Sequence, residues 1–445
     1  MSFPRYPKYK DSGVEWLGKV PEHWEVRRLK HICHVFPSNV DKKSVEGETA
    51  VLLCNYTDVY YNDMIVAGMD FMPATATEDQ IAKFTLRAGD TIITKDSETA
   101  DDIAVAAHVP HDLPGVVCGY HLSMVRPREG IHGVFVKRLF DSAYAKSCFA
   151  VRANGLTRVG LSQYELDNVD MPVPPPTEQA AVATFLDCET AKIDALIAEQ
   201  QRLIELLQEK RQAVISHAVT KGLNPNVPMK DSEIEWLGEV PEHWQVRRLG
   251  VLFREVNEQG KDELPILSVS IHDGVSDKEM AEEELDRKVT RSDDRTKYKR
   301  VTAGDLVYNM MRAWQGGFGT VEVEGMVSPA YVVARPRSEI MTLYVEHVLR
   351  TPAAIEQMRR HSRGITDFRL RLYWDEFKNI SVPVPPTGEV RAICAAIDGM
   401  AKQAEALEAE AHSAIALLQE RRSALISAAV TGQIDVRGLA ESEAA

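Results

Sequence analysis

The chain has 445 residues, a formal net charge of −14 and 44% hydrophobic residues, which is too long for a single core and ordinary for a globular protein of about two to four domains. No apolar run approaches the ~20 residues that cross a bilayer. The opening Met1-Ser2-Phe3-Pro4-Arg5-Tyr6 has no apolar signal core, so a cytoplasmic protein without membrane association is expected. Six scattered cysteines with no C-x-x-C pair argue against a disulfide framework or a zinc knuckle.

The segment from Lys10 to Leu29 returns 220 positions later from Lys230 to Leu249, identical at 16 of 20 positions. Unrelated segments should agree at roughly one. Its tryptophans, Trp16, Trp24, Trp236 and Trp244, read as scaffold packing. Behind the first copy, β-branched runs such as Ala50 to Leu53, Thr91 to Thr94 and Met124-Val125 alternate with turns such as Ala88-Gly89-Asp90. A helix is expected from Val134 to Phe149. A mixed α+β (α/β) domain over residues 1–176 follows.

The run Met171-Pro172-Val173-Pro174-Pro175-Pro176 must be extended, because each proline restricts its own φ and its predecessor. Thr177 is the expected cap of a helix over 177–221, which contains neither Gly nor Pro and stops at Gly222. Ile193, Ile197, Ile204, Leu207 and Val214 follow the three-and-four spacing of a coiled-coil seam. A second domain is expected over 222–386, with a strand near Leu264 to Val269 and a helix from Thr342 to Arg360. A second spacer segment follows over 387–437, its helix running from Thr387 to Thr431 and stopping at Gly432, with Leu407, Ile415, Leu418 and Leu425 on its seam, and then an acidic tail over 438–445. Two apolar stripes in one chain most simply bury each other. A twofold relation between the repeats makes the helices antiparallel, with a domain at each end.

Further motifs repeat: Ala88-Gly89-Asp90 with Ala303-Gly304-Asp305, and Arg126-Pro127-Arg128 with Arg335-Pro336-Arg337. After each Gly-Asp turn comes a polar segment, Lys95 and Ser97 in the first copy and Asn309, Arg312, Trp314 and Gln315 in the second. Before each proline run lies a Gly-centred loop, with Arg152, Asn154, Thr157 and Arg158 in one and Arg363, Thr366 and Arg369 in the other. Arg and Lys suit guanine and phosphate, and Asn and Gln suit adenine. These equivalent loops with different chemistry look like one scaffold reading two sequences. The net negative charge is spread along the chain, so a local basic face remains available. Arg287, Lys288, Arg291, Arg295, Lys297, Lys299 and Arg300 form one basic cluster. No P-loop, G-x-G-x-x-G or H-E-x-x-H is present. No catalytic, cofactor-binding or metal site is therefore expected.

The twice-used W-L-G-x-V-P-x-H-W-x-V-R-R-L opening, Met311-Arg312-Ala313-Trp314-Gln315-Gly316 followed by Val327-Ser328-Pro329-Ala330-Tyr331, and a proline run leading into Thr177-Glu178-Gln179 together resemble the specificity subunits of type I restriction-modification enzymes. The resemblance implies two target recognition domains, each reading one half of a split double-stranded DNA site, with the helices as spacers, and it makes the polar segments after the Gly-Asp turns DNA-contact candidates. It also implies two methyltransferase subunits and two restriction-translocase subunits as partners, with S-adenosylmethionine, ATP and Mg on those subunits and none here. The alternative is a coiled-coil scaffold that organises proteins without reading DNA.

Overall fold

The computed structural model describes residues 3–261, 263–271, 274–279, 297–338, 342–364 and 370–439. The chain divides into two compact units, Met1–Gln201 with His412–Ala445, and Arg202–Ala411. Each unit therefore holds one mixed α/β domain, the adjoining half of one long helix and the far half of the other.

In the first unit an antiparallel sheet runs in the order Ala106–His108, Thr91–Thr94, Leu122–Pro127, Cys33–Pro37. The second unit repeats it as Phe318–Thr320, Leu306–Asn309, Tyr331–Pro336, Phe253–Val256. The repeated sequence motifs meet across these sheets. Arg126 clasps Asp90 through Nε and Nη2, both at 2.7 Å, and Arg335 clasps Asp305 the same way at 2.9 Å. Both carboxylates are 1% exposed, and a bidentate guanidinium fork satisfies such a buried acid better than a single ammonium does. The domains diverge beyond the shared sheet. The first adds a mixed four-stranded sheet, Met72–Ala76, Thr49–Cys54, Leu113–Cys118, Thr85–Leu86, whose central pair is parallel. The second has the two-stranded pairs Lys299–Val301 with Gly325–Val327 and Val269–Ser270 with Gly274–Val275. The strand expected at Leu264 to Val269 is thus reduced to its last residue.

Both long helical stretches expected inside the domains are broken once. Gly133–Asp141 stops at Ser142, whose Oγ accepts from Ala145 N to start Ala143–Ala150. Thr342–Leu349 gives way to Pro352–His361, with Thr351 capping and Pro352 in the first turn. The apolar period runs through each break because both pieces bury the same face. A hydroxyl cap then restarts the helix at a new angle. The paired helices differ in interior charge. Lys137 meets Asp141 and Asp63, both at 2.7 Å, whereas at the matching place Glu346 accepts from Arg350 at 2.9 Å. The correspondence follows from the helix starts, since a side chain on Gly133 would touch Gly89 O and Thr342 Oγ1 donates to Gly304 O at 2.6 Å.

The first long helix is Pro176–Lys221 and the second Thr387–Val430. The first spans about 69 Å at ~1.5 Å per residue. Thr177 does not cap it. The helix begins one residue earlier, and Pro175 O takes the amides of Glu178 and Gln179, as Pro386 O takes those of Glu389 and Val390. A proline suits the first turn because it has no N–H to leave unsatisfied. Gly399 does not interrupt the second helix.

The helices pair antiparallel within each unit. In the first, Val182, Phe185, Leu186 and Ile193 share a core with Leu425, Ile426, Ala429 and Val430, and Ile197 and Leu418 lie at its edge. In the second, Ile215, Ala218 and Val219 share a core with Val390, Ile393, Cys394 and Ile397. Ile204, Leu207, Val214 and Ile415 are half-buried. Leu407 is not part of the seam: it is 47% exposed, while Ala404 and Ala411 are 8% and 3% exposed. Ile397, Ala404, Ala411, Leu418 and Leu425 recur every seven residues, and Leu407 falls on the flank of that line.

Each helix end meets a repeated tryptophan. Gly222 and Gly432 both have positive φ, and a side chain on either would meet Trp244 and Pro241, or Trp24 and Pro21. Trp24 and Trp244 are fully buried scaffold, as expected, whereas Trp16 is 56% exposed. In the second unit the chain runs on from Gly222 to Trp244. In the first the same junction is closed without a covalent link: Asp435 N donates to Pro4 O at 2.8 Å, Arg437 lies 4.8 Å over the Tyr6 ring, and Phe3 packs edge-on against Phe185.

Candidate nucleic-acid interface

In each unit the two segments singled out as DNA candidates lie side by side. In the first, Asp96–Ser97 pairs with Val159–Gly160, and Leu161 N donates to Lys95 O at 3.0 Å. Asn154 and Gly160 exchange two backbone bonds that close the loop between them. The loop needs glycine at position 155, where a Cβ would fall 1.8 Å from Arg158 O. In the second unit Arg363 and Arg371 close the equivalent loop, and Leu372 N donates to Met310 O at 2.8 Å. The same backbone bond therefore docks the same loop on the same strand end in both copies.

The first site gathers charge around Asp96. His121 Nδ1 lies 2.8 Å from one carboxylate oxygen and Arg158 Nη2 3.1 Å from the other. Lys95 Nζ sits 4.3 Å over the ring of Tyr120, which is 52% exposed. Burial holds the Lys95 ammonium below its usual pKa, partly offset by Asp96. Thr157 and Arg158 are exposed, and so is Asn154, whose amide donates to Arg152 O. Two expected contacts are scaffold instead. Arg152 is half-buried and donates to Cys148 O at 2.9 Å with Glu165 beside it. Ser97 is 2% exposed and faces Asp102.

At the second site the turn after the strand folds partly inward. Asn309 is 9% exposed, and its side chain accepts from Met311 N at 3.0 Å. Trp314 packs on the core of this unit with Arg359 6.0 Å from its ring. In this structure both side chains are turned toward the body of the unit, Asn309 buried and Trp314 half-buried. Gln315 and Met311 are exposed, Arg312 is half-buried, and Arg363 pairs with Glu376. Arg371 approaches the Met311 sulfur at 4.0 Å. Thr366 and Arg369 lie outside the described residues, as do Arg287, Lys288, Arg291 and Arg295.

Sequence reasoning missed Tyr120 and His121, and it met Asp96 and Arg371 only as members of a polar segment and of a basic cluster. Asp96, His121 and Arg158 come from three distant segments, and no linear motif joins them. Among the described residues no group of His, Cys, Asp or Glu is arranged to hold a metal, none of the six cysteines forms a disulfide, and no helix is long and apolar enough to cross a membrane.

No family model matches the chain. The EcoKI specificity subunit of Escherichia coli K12 is 22% identical over 458 residues, covering 96% of this chain and 92% of its own. The EcoBI specificity subunit of Escherichia coli is 25% identical over 69% of this chain and 67% of its own. The relatives of this chain are type I restriction enzyme specificity subunits. The MjaVIII specificity subunit of Methanocaldococcus jannaschii is matched over about half of each chain, 52% and 49%, at 25% identity. Solved structures agree on the fold. The HsdS subunit of Thermoanaerobacter tengcongensis superposes with a TM-score of 0.51, at 18% identity, over 93% of this chain and 98% of its own. A chain from a study of complex assembly and conformational transition in the type I R-M system gives a TM-score of 0.65, at 18% identity, over 92% and 98%. These specificity subunits share the layout of mixed α/β domains with long helices.

Proposed function

We propose that this chain is the non-catalytic DNA-specificity subunit of a type I restriction-modification enzyme. Each unit reads one half of a bipartite duplex site, and the long helices set the unspecified gap. Methyltransferase and restriction subunits, two of each, assemble on the chain. They bring S-adenosylmethionine, ATP and Mg. The supporting observation is the loop docked by Leu161 N on Lys95 O and, in the other copy, by Leu372 N on Met310 O: one backbone frame presents Asp96, His121 and Arg158 in the first case and Met311, Gln315 and Arg371 in the second. Constant backbone with variable polar side chains is what reading two base sequences from one scaffold requires.

The test is methylation mapping of a host genome carrying this chain with its methyltransferase partner. One split sequence should be modified at every occurrence. Filter binding to duplex DNA at two salt concentrations separates this reading from a protein scaffold. A DNA reader that neutralises phosphates loses affinity steeply as salt rises, and a scaffold shows no duplex binding to lose.

A further inference from the structure

The repeat supplies an internal comparison at the start of each long helix. Glu178 and Glu389 occupy the same position, three residues after the proline whose carbonyl begins each helix, and each is held by the repeated His-Trp pair. His23 Nε2 lies 2.6 Å from Glu178 Oε1, and Trp24 Nε1 donates to Oε2 at 2.9 Å. His243 and Trp244 hold Glu389 at the same 2.6 and 2.9 Å. Here the copies part. Glu178 also accepts from the Tyr6 hydroxyl at 3.0 Å on Oε2 and faces Arg437 at 3.7 Å on Oε1, leaving its side chain 10% exposed. A carboxylate offers about four lone-pair sites, and Glu178 engages three of them in hydrogen bonds and faces a cation near the fourth. Glu389 has two, one on each oxygen, and is 43% exposed.

The reason lies in the connection. At Glu178 the junction is closed by two chain ends, one bringing Tyr6 and the other Arg437. At Glu389 it is closed by the linker Leu223-Asn224-Pro225-Asn226-Val227-Pro228, which carries neither a phenol nor a cation.

We propose that the open face of Glu389 is a docking site for an arginine side chain of a partner protein, presented on a short extended segment. The occupant is an arginine because the carboxylate is already oriented by two donors and keeps one acceptor position free on each oxygen. A planar guanidinium fork meets that arrangement. In the other copy Ile434-Asp435-Val436-Arg437 lays Val436 into the core with no exposure and sets the Arg437 cation 3.7 Å from the acid, its fork oriented by Asp435 at 2.9 and 2.6 Å.

The experiment uses the full chain with 15N-labelled tryptophan and, as probe, a synthetic peptide of residues 431–439, Thr-Gly-Gln-Ile-Asp-Val-Arg-Gly-Leu. Of the six indole resonances, those of Trp24 and Trp244 are assigned with Trp24→Phe and Trp244→Phe. The peptide should shift the Trp244 indole N–H resonance and leave that of Trp24 in place. Glu389→Gln, which keeps the shape and removes the charge, should weaken the peptide by at least about tenfold. A peptide with Ala in place of its arginine should bind as weakly. No movement of the Trp244 resonance at millimolar peptide would overturn the proposal, as would a shift that survives Glu389→Gln. A peptide that moved only Trp24, by displacing the arm already seated there, would overturn it too.

Discussion

Arg422 on the second long helix grips Asp194 on the first, with Nε and Oδ1 2.9 Å apart, and its Nη2 reaches Asp63 at 3.2 Å. In the other unit the roles of the helices are exchanged, and Arg211 of the first helix faces Glu405 of the second at 3.7 Å. The repeat has thus kept the pair but not its strength. Arg422 is 23% exposed with two acids, and Arg211 is 38% exposed with one acid that is itself 62% exposed. Arg422→Ala should destabilise the first unit by about 0.5–1 kcal/mol, because the arginine is the less exposed of the two and holds two acids, themselves 49% and 61% exposed. Arg211→Ala should cost less than about 0.5 kcal/mol. Urea unfolding of both variants checks the order, and equal effects would refute it.

His108 predicts acid sensitivity of the first unit. The ring is 7% exposed, and burial lowers its pKa from 6.5 to about 4. Above pH 6.5 the ring is neutral in both states. Below it the unfolded chain takes a proton that the folded chain refuses until about pH 4, so stability falls as pH falls across that window. The loss should approach about 3 kcal/mol by pH 4. His108→Gln should flatten this part of the stability profile. A profile unchanged by the substitution would show that His108 does not cause the loss.

The first unit's junction predicts a viable circular permutant. Pro4, Tyr6, Asp435, Val436 and Arg437 all contribute to that junction, so the link should run from residue 439 to residue 3 and keep both arms. New ends between Leu223 and Met229 fall in an exposed linker. The permutant should unfold within a few degrees of the parent and, with its partners, methylate the parental site. A soluble permutant that lost the site would count against the reading of the junction.

At the first site, Arg158→Ala should weaken duplex binding and reduce the slope of log affinity against log salt by about one if it contacts a phosphate. If it reads a base, it should instead relax specificity at one position of one half-site. Ser97→Ala, whose hydroxyl faces Asp102, should leave binding unchanged. Filter binding across salt concentrations separates these outcomes.

Inserting four residues after Glu199 adds about one helical turn, ~6 Å at ~1.5 Å per residue. Both half-sites should persist while the gap between them grows. Methylation mapping reads the gap directly, and an unaltered gap in an assembled variant would refute the spacer role.

Much of this was legible in local sequence because its causes are local. Proline runs, the ends at Gly222 and Gly432 and the apolar lines through Ile193 and Leu425 each show within one or two turns of chain. The Gly-Asp and Arg-Pro-Arg motifs were visible as repeats, but their union as Arg126 on Asp90 was not, since nothing in a linear motif states its partner. Leu407 was misread because it satisfies a three-residue step from Ala404 as well as the buried line does, and only the packing decides between them. Ser142 and Thr351 were overlooked as caps because the apolar period continues across both. Asp96 depends on side chains from three separate segments, and no spacing encodes that meeting.

The reversed charges of Lys137 with Asp141 and Glu346 with Arg350 bear on how a doubled chain folds without crossing its own wires. Halves that share so much sequence invite a helix from one to settle in the other's core, the characteristic error of tandem repeats. Should the helix carrying Glu346 take the place of its counterpart, its carboxylate would confront Asp63 where Lys137 now sits. Opposite polarity at this one position would add a charge mismatch to any such exchange, beyond the differences in apolar sequence between the two helices and in the sheets that flank them.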